Sequence, residues 1–148
     1  MPIDDLPTRP LNRHPLRDAV AAFSATCFAA AFVSDVAYWR STDFIWETFS
    51  VWALTAGLML AAVAVLLALI AYIGDRRRGD PLTPWLQLIG CAIVIVLSIL
   101  NAFVHSRDGY TAVVPTGLGL SALVLLVMIV TAAIGPAAVH RQRLGEIA

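Results

Sequence analysis

Four long apolar blocks separated by short polar joints make up most of this chain. They cover about residues 16–39, 48–74, 84–105 and 113–139. The second carries no charge across 27 positions, enough for a tilted helix to cross a hydrocarbon layer of ~30 Å. The first is the weakest, because only residues 19–34 are free of charge and Ser24, Thr26 and Ser34 interrupt it. Small residues at Ala29-Ala30-Ala31 would suit a cleaved signal. However, Asp4, Asp5 and four prolines stand in or beside the lead, and the block continues into Tyr38 and Trp39. A retained helix is expected. The pattern predicts an all-α, integral-membrane antiparallel four-helix bundle.

The joints set the organisation. Residues 1–15 read as an irregular cytoplasmic lead, since Pro2, Pro7, Pro10 and Pro15 prevent a continuous helix. Residues 16–143 form the four-helix domain, and residues 144–148 are a cytoplasmic tail. Residues 41–47 are expected to be an acidic, aromatic joint, and residues 106–110 a second one turning at Gly109. Between the halves lies Asp75-Arg76-Arg77-Arg78-Gly79-Asp80, the one dense run of charge.

Composition strengthens the membrane reading and removes several alternatives. The chain is 59% hydrophobic and only 14% charged, with a mean hydropathy of +0.81, whereas a soluble domain carries about 25% charge. A formal net charge of zero supplies no overall field to attract nucleic acid. All ten basic residues are arginines. Four spans put both termini on one side, with Arg9, Arg13, Arg17, Arg76, Arg77, Arg78, Arg141 and Arg143. The other side has Arg40 and Arg107. Eight against two places both termini in the cytoplasm by the positive-inside rule, with a bacterial inner membrane as the setting. Arg76, Arg77 and Arg78 then meet anionic lipid headgroups. Asp43, Glu47, Asp108, Trp39, Trp46 and Trp52 form an acidic outer rim with an aromatic belt, and Trp85 is the inner counterpart.

Inside lipid, small and polar residues mark the helix–helix seams. On the third helix, Gln87, Cys91, Val94, Ser98, Asn101 and His105 are spaced 4, 3, 4, 3, 4 and share one face. That stripe reads either as interhelical hydrogen bonding or as a polar track for quinone, haem or protons. The fourth helix shows Gly117, Ser121, Val124, Met128, Thr131, Gly135 and Ala138, and the second Thr48, Trp52, Thr55, Met59 and Ala62. The first offers Ser24, Cys27, Ala31 and Ser34, with Asp35 beside them. Asp35 either reaches the outer interface or faces the bundle and pairs with Asn101, His105 or Arg107. Few ionisable groups lie deep enough for a proton pump.

The remaining chemistry is sparse. Cys27 and Cys91 have no metal-ligand spacing and read as small packing residues. His14 and His140 lie at the inner ends of helices one and four, the one pair at matching depth for b-type haem or a metal. Solvated interfacial histidines are the plainer alternative. No nucleophile–base pair, phosphate loop or metalloprotease motif appears, so enzymatic activity is not expected.

Several of these features recur together in a known family. His14-Pro15 before helix one, Asp35 late in it, the arginine-rich middle joint, Pro115-Thr116-Gly117 entering helix four and the exit from Gly135 to His140-Arg141 follow a familiar order. By them the chain resembles the small bacterial membrane proteins of domain-of-unknown-function family 2231, over nearly its whole length. The resemblance implies a four-helix membrane protein associated with cytochrome c and quinoprotein dehydrogenase systems. Many members carry a histidine where this chain has Gln87, and an acidic residue where it has Pro136-Ala137-Ala138. The expected function is a non-catalytic anchor or accessory subunit of a respiratory or dehydrogenase complex. A redox subunit holding haem b or quinone is the alternative, and a small transporter a third.

Overall fold

The computed structural model describes residues 14–78, 85–106 and 113–145, with side chains for 14–77, 85–106 and 114–134. Helix α1 is Pro15–Ser41, α2 is Phe44–Arg78, α3 is Trp85–His105 and α4 is Leu118–Gly145. A π-helical turn, Val113–Gly117, leads into α4. All regular structure among the described residues is helical. Four of these helices are long and apolar enough to cross a membrane.

Local chemistry fixes the ends. Pro15 takes the first helical position of α1, where its missing N–H is no loss. The helix stops at Thr42, which adopts a left-handed conformation (φ 55°) and donates its N–H to Tyr38 O at 2.8 Å. Asp43 then caps α2, its Oδ1 accepting from the Ile45 N–H at 3.3 Å. The joint expected over residues 41–47 is therefore shorter, and Glu47 belongs to the first turn of α2.

Contacts fix the register of the helix pairs. His14 meets Asp75, Ser24 meets Gly57, and Asp35 meets Ser50. Numbers rise on α1 as they fall on α2. In the second pair, Gly90 lies against Thr131, Asn101 bonds Ser121, and His105 lies against Gly117. Each seam is close because one wall is glycine. A Cβ on Gly57 would stand 2.7 Å from Phe28 Cε1, nearer than real side chains approach.

The interior mixes apolar and polar side chains, and the exterior is mostly apolar. Phe28, Ala31, Leu54, Ala61, Val94 and Val124 form one small buried core. Asp35, Glu47, Ser50, Ser98, Asn101, His105 and Ser121 are buried beside it. Trp52, Met59 and Ile70 are meanwhile 67–69% exposed. A soluble protein rarely exposes so continuous an apolar surface, whereas lipid solvates it at no penalty.

The face expected for α2 is corrected. Thr48, Trp52, Thr55, Met59 and Ala62 all point outward, and Glu47, Ser50, Leu54, Gly57 and Ala61 point in. The two stripes are offset by one or two positions, about 140° of rotation at about 100° per residue. Threonine is the reason: Thr48 Oγ1 donates to Phe44 O at 3.2 Å and Thr55 Oγ1 to Val51 O at 2.8 Å. A hydroxyl satisfied by its own helix needs no seam. Cys91 is likewise exposed, and Gly90 takes the inward position.

Candidate functional site

Asp35 draws one side chain from each of the other three helices. At about 1.5 Å per residue, Asp35 lies about 9 Å from the end of α1 and Ser50 a similar depth into α2. His105 closes α3 and Ser121 opens α4. Asp35 and Ser50 are fully buried, Ser121 is 3% exposed and His105 7%.

The hydrogen bonds have defined directions. Ser50 Oγ donates to Asp35 Oδ1 at 2.5 Å, and Ser121 Oγ donates to Asp35 Oδ2. His105 Nε2 stands 3.0 Å from Asp35 Oδ1, and Nδ1 stands 2.9 Å from Asn101 O. A carbonyl oxygen can only accept, so Nδ1 carries a proton. One further proton therefore lies between Nε2 and the carboxylate. The serines already donate to both Asp35 oxygens, and His105 Nε2 completes the set of groups around the carboxyl. Asn101 Nδ2 donates to Ser121 Oγ at 2.7 Å, leaving the Ser121 hydroxyl hydrogen for Asp35. Gly117 seats the imidazole, since a Cβ there would lie 2.9 Å from His105 Cε1.

Around this hub, three buried oxygens have no partner among the described residues: Glu47 Oε2, Ser98 Oγ and Asn101 Oδ1. Glu47 is 1% exposed and lies within electrostatic reach of His105 and Asp35. The outer rim expected from Asp43, Glu47 and Asp108 is thereby corrected. Asp43 is exposed and Glu47 turns inward, while Asp108 lies outside the described residues. Trp39, Trp46 and Trp52 are exposed, as an aromatic belt requires.

The expected site residues thus separate into groups. Asp35, Asn101 and His105 come together, and Ser98 is buried on the same face of α3. The proposed Arg107 partner lies outside the described residues. Gln87 is half-buried and, 14 positions from Asn101, sits about 21 Å along the helix, away from the hub. His14 Nε2 stands 3.2 Å from Asp75 Oδ2, a hydrogen-bonded pair at the opposite end of the bundle. The side chain of His140 lies outside the described residues, so the His14–His140 pairing has no geometry here. Asp75, late in α2, is the residue that meets His14. Arg76 and Arg77 are exposed at the end of α2, while the Arg78 side chain and Asp80 lie outside the described residues. Among the described residues no group of three His, Cys, Asp or Glu could hold a metal ion, and Cys27 and Cys91 are free thiols.

Sequence reasoning passed over Ser50, and it placed Glu47 in a loop. Asp43 was the signal that could have found both. A cap at that position starts the helix at residue 44 and makes residues 47, 50, 54 and 57 one face.

Comparison with known proteins adds one finding. A family model described as a predicted membrane protein (DUF2231) matches residues 13–148. No curated protein and no solved structure matches the chain.

Proposed function

The chain belongs to the DUF2231 family of predicted membrane proteins, and from that premise we propose a specific setting and role. The setting is the bacterial inner membrane, crossed four times by an antiparallel bundle with both termini cytoplasmic. The role is that of a non-catalytic anchor or accessory subunit of a respiratory or dehydrogenase complex. The observation that carries the role is the hub itself. Asp35 bonds to Ser50, His105 and Ser121, so the strongest polar interactions in the bundle are spent on joining helices. Such a bundle keeps a fixed shape while presenting a largely apolar flank to lipid or to another membrane subunit.

Two features support the orientation. The helix pairs have opposed numbering in their contacts, and eight of ten arginines fall at the ends assigned to the cytoplasm. The family resemblance points toward redox complexes as the partner class.

The test is purification in mild detergent with identification of what accompanies the protein. A stoichiometric dehydrogenase or cytochrome partner is the expected result, and the isolated chain is expected to be colourless. A Soret band that is lost in His14→Ala would replace the anchoring role with haem b bound through His14 and His140. Recovery of the chain alone from native membranes would remove the accessory-subunit role.

A further inference from the structure

The charges inside the bundle do not balance. Asp35 and His105 share a proton and together form a neutral pair. Glu47 is a second carboxyl, 1% exposed, whose Oε2 has no hydrogen-bond partner among the described residues. No cation is available to it among the described residues. Arg17 is engaged with Asp18 at 2.8 Å, and Arg40, Arg76 and Arg77 are exposed. Among the described residues, the titratable groups within electrostatic reach of Glu47 are Asp35 from α1 and His105 from α3. An unpaired buried carboxylate is the most costly arrangement a low-dielectric interior can hold. A proton on the Glu47 carboxylate removes that cost.

We propose that Glu47, together with the Asp35–His105 pair, is a buried proton-binding site that exchanges with water at the α1–α2 end of the bundle. The route is short. Glu47 lies in the first turn of α2, only about 4–5 Å along the helix from its start, beside the exposed Thr42 and Asp43. The step is a plain transfer: a hydronium ion or buffer acid gives a proton to the Glu47 carboxylate, and water or the conjugate base leaves. No electron moves. Loaded, the site holds Asp35 as carboxylate, His105 as imidazolium and Glu47 as carboxylic acid, with no net charge. Unloaded, it carries one negative charge that bears on the imidazolium from its second side. Proton occupancy therefore acts on the hydrogen bonds that hold α1, α2, α3 and α4 together.

The sequence makes the test clean, because Glu47 and Glu146 are its two glutamates. Infrared difference spectra of the full chain in liposomes, stepped in pH, read the C=O stretch of a protonated carboxyl directly. The expected result is a band that comes and goes with pH and moves on ¹³C-glutamate labelling of the unsubstituted protein. It should be lost in Glu47→Gln, kept in Glu146→Gln and unaffected by added sodium at fixed pH. Absence of a glutamic acid band at every pH where the protein stays folded would overturn the proposal. So would a band that survives Glu47→Gln, or one that sodium removes, which would mark a monovalent cation site instead. The labelling arm needs no variant to fold.

Discussion

Asp35 accepts hydrogen bonds from side chains on α2, α3 and α4, so the neighbours of the hub can be removed one at a time. Ser121→Ala leaves both Asp35 Oδ2 and Asn101 Nδ2 short of a partner. It should lower stability by about 1–3 kcal/mol, the range for orphaning a buried polar group, measured by reversible unfolding in mixed micelles. Gly117→Ala is a different kind of probe. Its Cβ would press on His105 Cε1 at 2.9 Å, and the ring, held at both nitrogens, has little room to give. A loss of about 1–3 kcal/mol is expected from overpacking. Gly119→Ala, where nothing lies within 4 Å, should stay within about 0.5 kcal/mol. Much of this was legible in the sequence. A carboxylate late in an apolar block is rare enough to single out Asp35, and the stripe on helix three supplied Asn101 and His105. What could not be read was the proton arrangement, since it depends on which backbone carbonyl meets Nδ1.

At the scale of the helices, α2 is apolar on every side, and that is why its inward face was misplaced. In water, the apolar stripe of a helix marks its buried side. In lipid both sides are apolar, so only the few polar positions orient the helix, and a self-satisfied threonine gives a false signal. Gly57 is a sounder one. Gly57→Ala would bring a Cβ to 2.7 Å from Phe28 Cε1 and part α1 from α2, disturbing the Ser24–Gly57 bond. A loss of about 1–3 kcal/mol is again expected. Gly74→Ala, with open space around it, serves as the matched control. The His14–Asp75 pair at the far end of the same seam is partly exposed. His14→Ala should therefore change stability by at most about 1 kcal/mol, and less as salt is raised.

For the whole molecule, the distribution of surfaces argues for lipid as the solvent. The polar groups gather at one internal hub, and large apolar side chains such as Trp52 and Met59 face outward. Removing the bilayer or detergent is therefore expected to aggregate the protein without first breaking the hub. The orientation makes its own prediction: a reporter fused after Arg143 should be active in the cytoplasm, and periplasmic activity would reverse the topology. The central claim is that one carboxylate, through an imidazole and two hydroxyls, ties four helices into one body. A double-mutant cycle on Asp35→Asn and His105→Asn, read by reversible unfolding in mixed micelles, tests it most directly. Each single variant strands a buried partner, so the two losses should fail to add, with a coupling of about 1–3 kcal/mol. Additive losses, with coupling near zero, would mean that Asp35 and His105 stand side by side without holding the bundle together.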